Sequence, residues 1–391
     1  MKIDKRNLSH WSYLARSGFF ALVGILLRSF WRPKEKLVVL YGHKFNGNIR
    51  AFAEYLKESK VNDGLYSVAY ATMDPEYYKA VKAQYPDANI LSMIRLKDMI
   101  AIARSSAIIT THGLHTLVLF RKFTGIKFIN VWHGIGWKGH DSSDFSFTEG
   151  YADNWVSSEV FRGVYENYFK VKTPVHVTGY ARSDDAVNKK YSVAELRKKY
   201  GISRNFKKVI LIAPTWEQGS GNHSIYPFGQ DSDSFFAGLD EAAKGIGALV
   251  IFRSHLNSKT TTLPSGLNNI VLMPYREYPV VEDFLYMADM LISDWSSIVF
   301  DYLPLRRPTI FLDVKCPYDK VCIGESNRFG VKVSSMKELT SAMQKYTLDP
   351  KAYEKKYGAK MAEAENTGYG STLDGKSSER YHKRLIEIIG E

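Results

Sequence analysis

The strongest constraint on this chain is a rhythm of short apolar runs separated by stretches of helical period. Leu37-Val38-Val39-Leu40-Tyr41, closed by Gly42, is the first, and similar runs occur at 66–71, 107–111, 127–132, 154–157 and 175–178. Helix-like pieces such as 50–58 and 96–104 lie between them. Runs that lack polar alternation belong to strands buried on both faces, and such strands alternating with helices build parallel sheets. A second series follows Phe206, at 209–213, 248–253, 270–273, 290–293 and 309–312. Between the series, 184–207 is rich in lysine and arginine and lacks strand character until Val209, which marks an interdomain linker. At 391 residues the chain is too long for one core and suits two domains. The expectation is α/β: two doubly wound, Rossmann-like parallel-sheet domains facing a cleft, with ligands beyond the carboxyl ends of the strands. The boundaries are a basic segment 1–36, a first domain 37–190, a second 191–376, and a closing helix in 377–391. That helix carries Tyr381, Leu385, Ile386 and Ile389 on a common side.

Charge is unevenly spread. The net charge is +12, and residues 1–36 hold eight basic side chains against Asp4 and Glu35, half of the excess. Such a tail attracts nucleic acid or anionic lipid. Its company is aliphatic: Ser17-Gly18-Phe19-Phe20-Ala21-Leu22-Val23-Gly24-Ile25-Leu26-Leu27 runs between Arg16 and Arg28. Nucleic-acid arms rarely carry so much apolar surface. A spanning helix needs roughly 20 apolar residues, which this run does not reach. Trp31-Arg32-Pro33 is a poor signal-peptide cleavage site. The expectation is an interfacial helix on an anionic membrane, with Trp11, Phe19, Phe20 and Trp31 at the headgroup level. A helix packed on the protein body is the alternative. Cys316 and Cys322 match no zinc spacing and offer no disulfide framework, so a reducing cytoplasm is the default.

Three segments place polar or glycine residues directly after an apolar run. The first is Trp132-His133-Gly134-Ile135-Gly136-Trp137-Lys138-Gly139. A histidine there can serve as a general base near neutral pH or merely satisfy a strand end, and Lys138 can meet a phosphate. The second pairs Arg253 with His255 after Leu249-Val250-Ile251-Phe252, a cationic pair suited to a diphosphate or an incidental surface loop. The third, Ser293-Asp294-Trp295-Ser296-Ser297 leading into Ile298, resembles a helix N-cap, which is either an anion site or an ordinary cap. His112-Gly113 and His115 follow 107–111 and either line the same cleft or cap the strand. No GxxxxGK[ST] occurs and no GxGxxG follows a strand, so kinase and dehydrogenase readings lose support. Asp231-Ser232-Asp233 is the one plausible metal-binding DxD, and its polar loop argues against a metal site.

Taken together, these segments resemble the CDP-glycerol glycerophosphotransferase family, the TagB/TagF-like group that builds teichoic-acid and capsule polymers. The elements stand in family order: Trp132-His133-Gly134 with Lys138; Thr178-Gly179-Tyr180-Ala181-Arg182-Ser183-Asp184; Ala213-Pro214-Thr215-Trp216; Arg253-Ser254-His255; Ile292-Ser293-Asp294-Trp295-Ser296-Ser297 running on to Phe300-Asp301-Tyr302; Arg307-Pro308; and Asp374-Gly375-Lys376-Ser377-Ser378-Glu379-Arg380. Three departures stand out: Leu256 where the family carries Pro after the histidine, Ala181 for Pro, and Trp295 for the commoner Tyr.

The resemblance implies a GT-B-like architecture whose second domain holds CDP-glycerol and whose last helix crosses back to the first. It implies transfer of glycerol phosphate to a hydroxyl of a lipid-linked (undecaprenyl-diphosphate) saccharide or growing poly(glycerol phosphate), with release of CMP and no cofactor or metal. His133 and His255 would be catalytic. Arg253, Ser296, Ser297, Asp294 and Asp301 would bind the donor, and Gly134, Lys138, His112, Arg182 and Asp184 would lie on the acceptor side. The enzyme would work as a peripheral protein on the cytoplasmic face of the membrane, and its length suits the shorter members of the family. The rival readings are CDP-ribitol or a nucleotide sugar as donor on the same scaffold, and a basic binding protein for nucleic acid or membranes without catalysis.

Overall fold

A computed structural model of the chain describes residues 6–30, 36–215, 226–253, 262–275, 277–316, 324 and 327–390. The chain divides into two units: Met1–His133, Asp141–Asp184 and Asp374–Glu391 form the first, Gly134–His140 and Asp185–Leu373 the second.

The first unit is built on a seven-stranded sheet: β1 (Lys36–Tyr41), β2 (Tyr66–Thr72), β3 (Ile90–Ser92), β4 (Ala107–Thr110), β5 (Lys127–Asn130), β6 (Asp153–Val156) and β7 (Val175–Val177). All pairings are parallel, in the order β3-β2-β1-β4-β5-β6-β7. Side chains alternate across the pleat, so neighbours on one strand enter different cores. Val39, Tyr41, Ala69 and Ile108 join the N-terminal helix Leu8–Leu27 on one side, while Val38, Leu40, Tyr70 and Ile109 join Tyr381, Leu385 and Ile388 of the C-terminal helix Ser377–Gly390 on the other. Both faces are apolar, which is why the strands show no alternation in sequence.

The N-terminal helix packs on the body of the first unit and leaves an apolar face exposed. Ser17, Ala21 and Gly24 are buried. A Cβ on Gly24 would come within 3.0 Å of Ala103 Cβ, so the missing side chain permits the close crossing with the helix Leu96–Ala103. Phe20, expected at a membrane, packs instead on the core with Tyr13 and Leu14. Trp11, Phe19, Leu22 and Leu26 stay exposed on the helix, at 50%, 63%, 49% and 70%. Trp31 lies outside the described residues.

The second unit carries a six-stranded parallel sheet: β8 (Lys208–Ile212), β9 (Ala248–Phe252), β10 (Ile270–Leu272), β11 (Met290–Ser293), β12 (Thr309–Leu312) and β13 (Val331–Val333), in the order β10-β9-β8-β11-β12-β13. Each sheet therefore runs outward from its first strand, then reverses and continues from its fourth. The point of reversal lies between β1 and β4 in one unit and between β8 and β11 in the other. Chains leaving these two strands part to opposite sides and leave an opening at their carboxyl ends, where ligands of such sheets bind.

Candidate functional site

In the first unit the reversal point gathers histidines. His43 follows β1, His112 follows β4 and His133 follows β5 of the next strand over. The His43 and His112 rings stack at 4.0 Å between centroids, and His112 and His133 at 4.4 Å with only 10° between planes. Nδ1 of His133 lies 3.0 Å from the carbonyl oxygen of Thr111. A carbonyl only accepts, so Nδ1 carries a proton, and in the neutral ring Nε2 then holds the lone pair. His133 itself is exposed. A general base requires an imidazole held through one nitrogen with the other basic, and the Thr111 contact suits the neutral ring of His133 to that role.

Burial and the neighbouring rings of His133 and His43 hold His112 well below the ordinary histidine range. His115, whose Nδ1 is 2.7 Å from the Tyr41 hydroxyl, is lowered by burial to about 4. These two rings are neutral at pH 7. The backbone explains the arrangement: Gly134 turns at φ +148°, a conformation side chains resist, directly after the histidine. Arg182 is drawn in as well. Its backbone N–H donates to Asn48 Oδ1 at 3.2 Å and its guanidinium to the His133 carbonyl at 2.9 Å.

In the second unit Asp294 and Thr215 occupy the reversal point, directly beyond β11 and shortly beyond β8. The buried Asp294 carboxylate accepts from the Thr215 N–H (2.8 and 3.0 Å), the Thr215 hydroxyl (2.5 Å) and the Trp295 N–H (2.6 Å). Gly134 and Lys138, expected on the acceptor side, belong to this unit. Lys138 Nζ lies 3.5 Å from Thr215 Oγ1, and its pKa is lowered to about 8 by burial, against the opposing pull of Asp294 and Cys316. Trp137 is fully buried against Trp295 (centroids 5.7 Å apart), and the Arg328 guanidinium sits 4.8 Å over the Trp295 ring.

Other expected residues are placed differently. Arg253 is buried, and its guanidinium donates to the carbonyls of Met273 (3.1 Å) and Tyr278 and packs over Tyr275 and Phe284. Desolvation lowers its pKa to about 10. It is thus a fixed buried cation that braces the chain after β10. His255 lies outside the described residues. Ser297 was expected as an N-cap, but its backbone is already helical (φ −64°, ψ −10°) and its side chain makes no cap bond. An extended backbone is what lets a capping side chain fold back onto the first turn, and Ser297 lacks it. Ser296 Oγ is 3.5 Å from the Ile298 N–H, and the helix Ile298–Tyr302, which carries the half-buried Asp301, has five residues.

Asp184 is buried and accepts the N–H groups of Ser377 (3.0 Å) and Ser378 (2.7 Å), capping the C-terminal helix. Arg307 clamps the carbonyls of Tyr286 and Ala288, and Arg380 pairs with Asp374 and the Thr178 carbonyl. Several motif residues therefore hold architecture. Asp231, instead of lying in a loop, caps the helix Ser232–Gly245 through the Ser234 N–H at 2.7 Å. Sequence reasoning passed over His43, although Gly42-His43 closes β1 as Thr111-His112 closes β4. It also passed over Arg328, which has no motif around it.

Two open parallel sheets, each with polar side chains collected at its point of reversal, define the GT-B-like fold class. Solved structures share the fold. The wall teichoic acid polymerase TagF aligns at a TM-score of 0.73 with 18% identity, over 96% of this chain and 95% of that one. A variant of TagF soaked with CDPG aligns at 0.71. The sequence matches the CDP-glycerol:poly(glycerophosphate) glycerophosphotransferase family over residues 25–387, and the chain belongs to that family. It is 26% identical over 330 residues to a teichoic acid poly(glycerol phosphate) polymerase of Bacillus spizizenii, covering 75% of this chain and 76% of that protein. Against the teichoic acid ribitol-phosphate polymerase TarL of Staphylococcus aureus it is 28% identical over 258 residues, 61% of this chain but only 45% of TarL.

Proposed function

We propose that the chain transfers glycerol phosphate from CDP-glycerol to a hydroxyl of a lipid-linked saccharide or a growing poly(glycerol phosphate), releasing CMP, in teichoic-acid or capsule polymer synthesis. The acceptor oxygen forms a bond to the β-phosphorus as the bond from that phosphorus to the bridging oxygen breaks. The electron pair leaves with CMP, and the acceptor proton passes to Nε2 of His133. The observation that carries this reading is the Thr111–His133 bond, which in the neutral ring makes Nε2 the basic nitrogen. Phosphoryl transfer depends mainly on positioning and charge stabilisation. In this reading Arg253, His255, Asp294, Ser296, Ser297 and Asp301 serve the donor, and His112 and Arg182 shape the acceptor side.

Incubation of the purified protein with CDP-glycerol, CDP-ribitol and a UDP-sugar, each with a lipid-diphosphate disaccharide analogue, tests the proposal. CMP release from CDP-glycerol supports it; UDP release, or no release, overturns it. The similarity to TarL favours CDP-ribitol as the second reading, which the same assay separates. The location that fits is the cytoplasmic face of the membrane. Among the described residues no helix is long and apolar enough to cross a membrane, and the exposed apolar stripe of Leu8–Leu27 beside basic residues suits contact with anionic lipid.

A further inference from the structure

Lys138 arrives at the second sheet on an unusual route. The segment Gly134–His140 lies in sequence between β5 and β6 of the first sheet, yet belongs to the second unit. There its ammonium is linked through the Thr215 hydroxyl to Asp294, at the carboxyl ends of β8 and β11. Those strands are adjacent, with Ile292 paired to Ile212, and the sheet order reverses between them. The Asp294 carboxylate already accepts two donors from Thr215, its N–H and its hydroxyl, and one from Trp295, so its charge is largely committed to the loops beyond β8 and β11. The indole of Trp137, next to Lys138 in the chain, is buried and packs on that of Trp295, next to Asp294. Among the described residues, Asp294 beyond β11 and Cys316 beyond β12 act electrostatically on Lys138; His140 lies on its own segment, and Arg328 sits over the Trp295 ring.

We propose that Lys138 is the counter-charge for the donor's diphosphate, a donor-binding residue supplied to the second unit by the Gly134–His140 segment. This rests on the reading above that the second unit holds a cytidine diphosphate. A largely desolvated ammonium at the carboxyl ends of the strands where the sheet reverses, beside a carboxylate that other donors share, attracts a dianion strongly because little water competes there. Anion binding stabilises the charged form of the lysine. Near pH 8, where burial leaves about half of the lysines neutral, binding draws a proton from solution.

Calorimetric titration of CDP into the full-length protein at pH 8, in two buffers of different ionisation enthalpy, reads that proton. The wild type is expected to take up about half a proton per CDP bound. Lys138→Met, which keeps the apolar stem, is expected to lose the uptake and to bind CDP ~10–100-fold more weakly, the usual range for a hydrogen-bonded charge contact. Lys138→Arg is expected to restore affinity without uptake, because guanidinium stays charged. Thermal melts establish that both variants fold. If the wild type binds CDP and folded Lys138→Met binds it equally well, or takes up the same proton, the inference falls and the proposed function stands. If the wild type does not bind CDP, both fall.

Discussion

The Thr111 carbonyl oxygen and His133 Nδ1 are 3.0 Å apart, and this single contact sets the tautomer of the one exposed histidine beyond the first sheet. It fixes which nitrogen is basic before any substrate arrives. A positioned base contributes roughly 10²–10⁴-fold to a proton-transfer step. His133→Ala is expected to lower kcat for CMP release by about that factor, with little change in affinity for CDP. A folded His133→Ala enzyme with full turnover would remove the histidine from the mechanism.

Acid sensitivity follows from the neutral rings beside it. His115 titrates at about 4 in the fold against about 6.5 when unfolded, so between those values the unfolded chain binds more protons and stability falls as pH falls. The Tm is expected to drop as pH falls from about 6.5 to about 4 and to be flat from about pH 6.5 to neutrality for this group. His115 has φ +47°, which asparagine tolerates well, so His115→Asn is the suitable control. It should flatten part of the drop; an unchanged Tm-versus-pH curve would show that His115 is not its source.

Much of this was legible in the sequence, for a physical reason. Every apolar run became a strand, because strands covered on both faces must be apolar throughout. The strands passed over, β3 (Ile90–Ser92) and β13 (Val331–Val333), are three-residue edge strands paired on one side only, as are β7 and β10, which were read; in β3 and β13 a serine or a lysine breaks the apolar run. The polar residues after β4, β5 and β11 were found because they break an apolar run abruptly. What stayed hidden depends on contacts distant in the chain. Nothing near Asp184 shows that its carboxylate caps Ser377 and Ser378, and nothing near Arg253 shows that its guanidinium faces the Met273 and Tyr278 carbonyls.

Asp184 provides a prediction about architecture. Burial raises its pKa, opposed by the Ser378 and Ser377 bonds, so removing the carboxylate strands two backbone donors at the start of a helix. Asp184→Ala is expected to cost about 1–3 kcal/mol in denaturant unfolding and to speed amide exchange selectively in Ser377–Gly390. Uniform exchange rates in that helix would place the cost elsewhere.

The N-terminal helix offers the last test. Trp11, Phe19, Leu22 and Leu26 recur at helical spacing and form one stripe, opposite the buried Ser17, Ala21 and Gly24. Solvent-facing apolar stripes of this width mark a surface with a partner, and the basic residues flanking this one favour an anionic bilayer over a neutral one. Leu22 and Leu26 are exposed, so replacing both by glutamate costs little packing but opposes both the apolar and the electrostatic attraction. Sedimentation with phosphatidylglycerol vesicles is expected to fall roughly tenfold or more for Leu22→Glu/Leu26→Glu, since each buried leucine contributes ~1.5–3 kcal/mol. CMP release with a soluble acceptor analogue should be retained. Undiminished sedimentation would assign the stripe to some other partner, and wild-type binding to neutral phosphatidylcholine as tight as to phosphatidylglycerol would remove the role given to the basic residues.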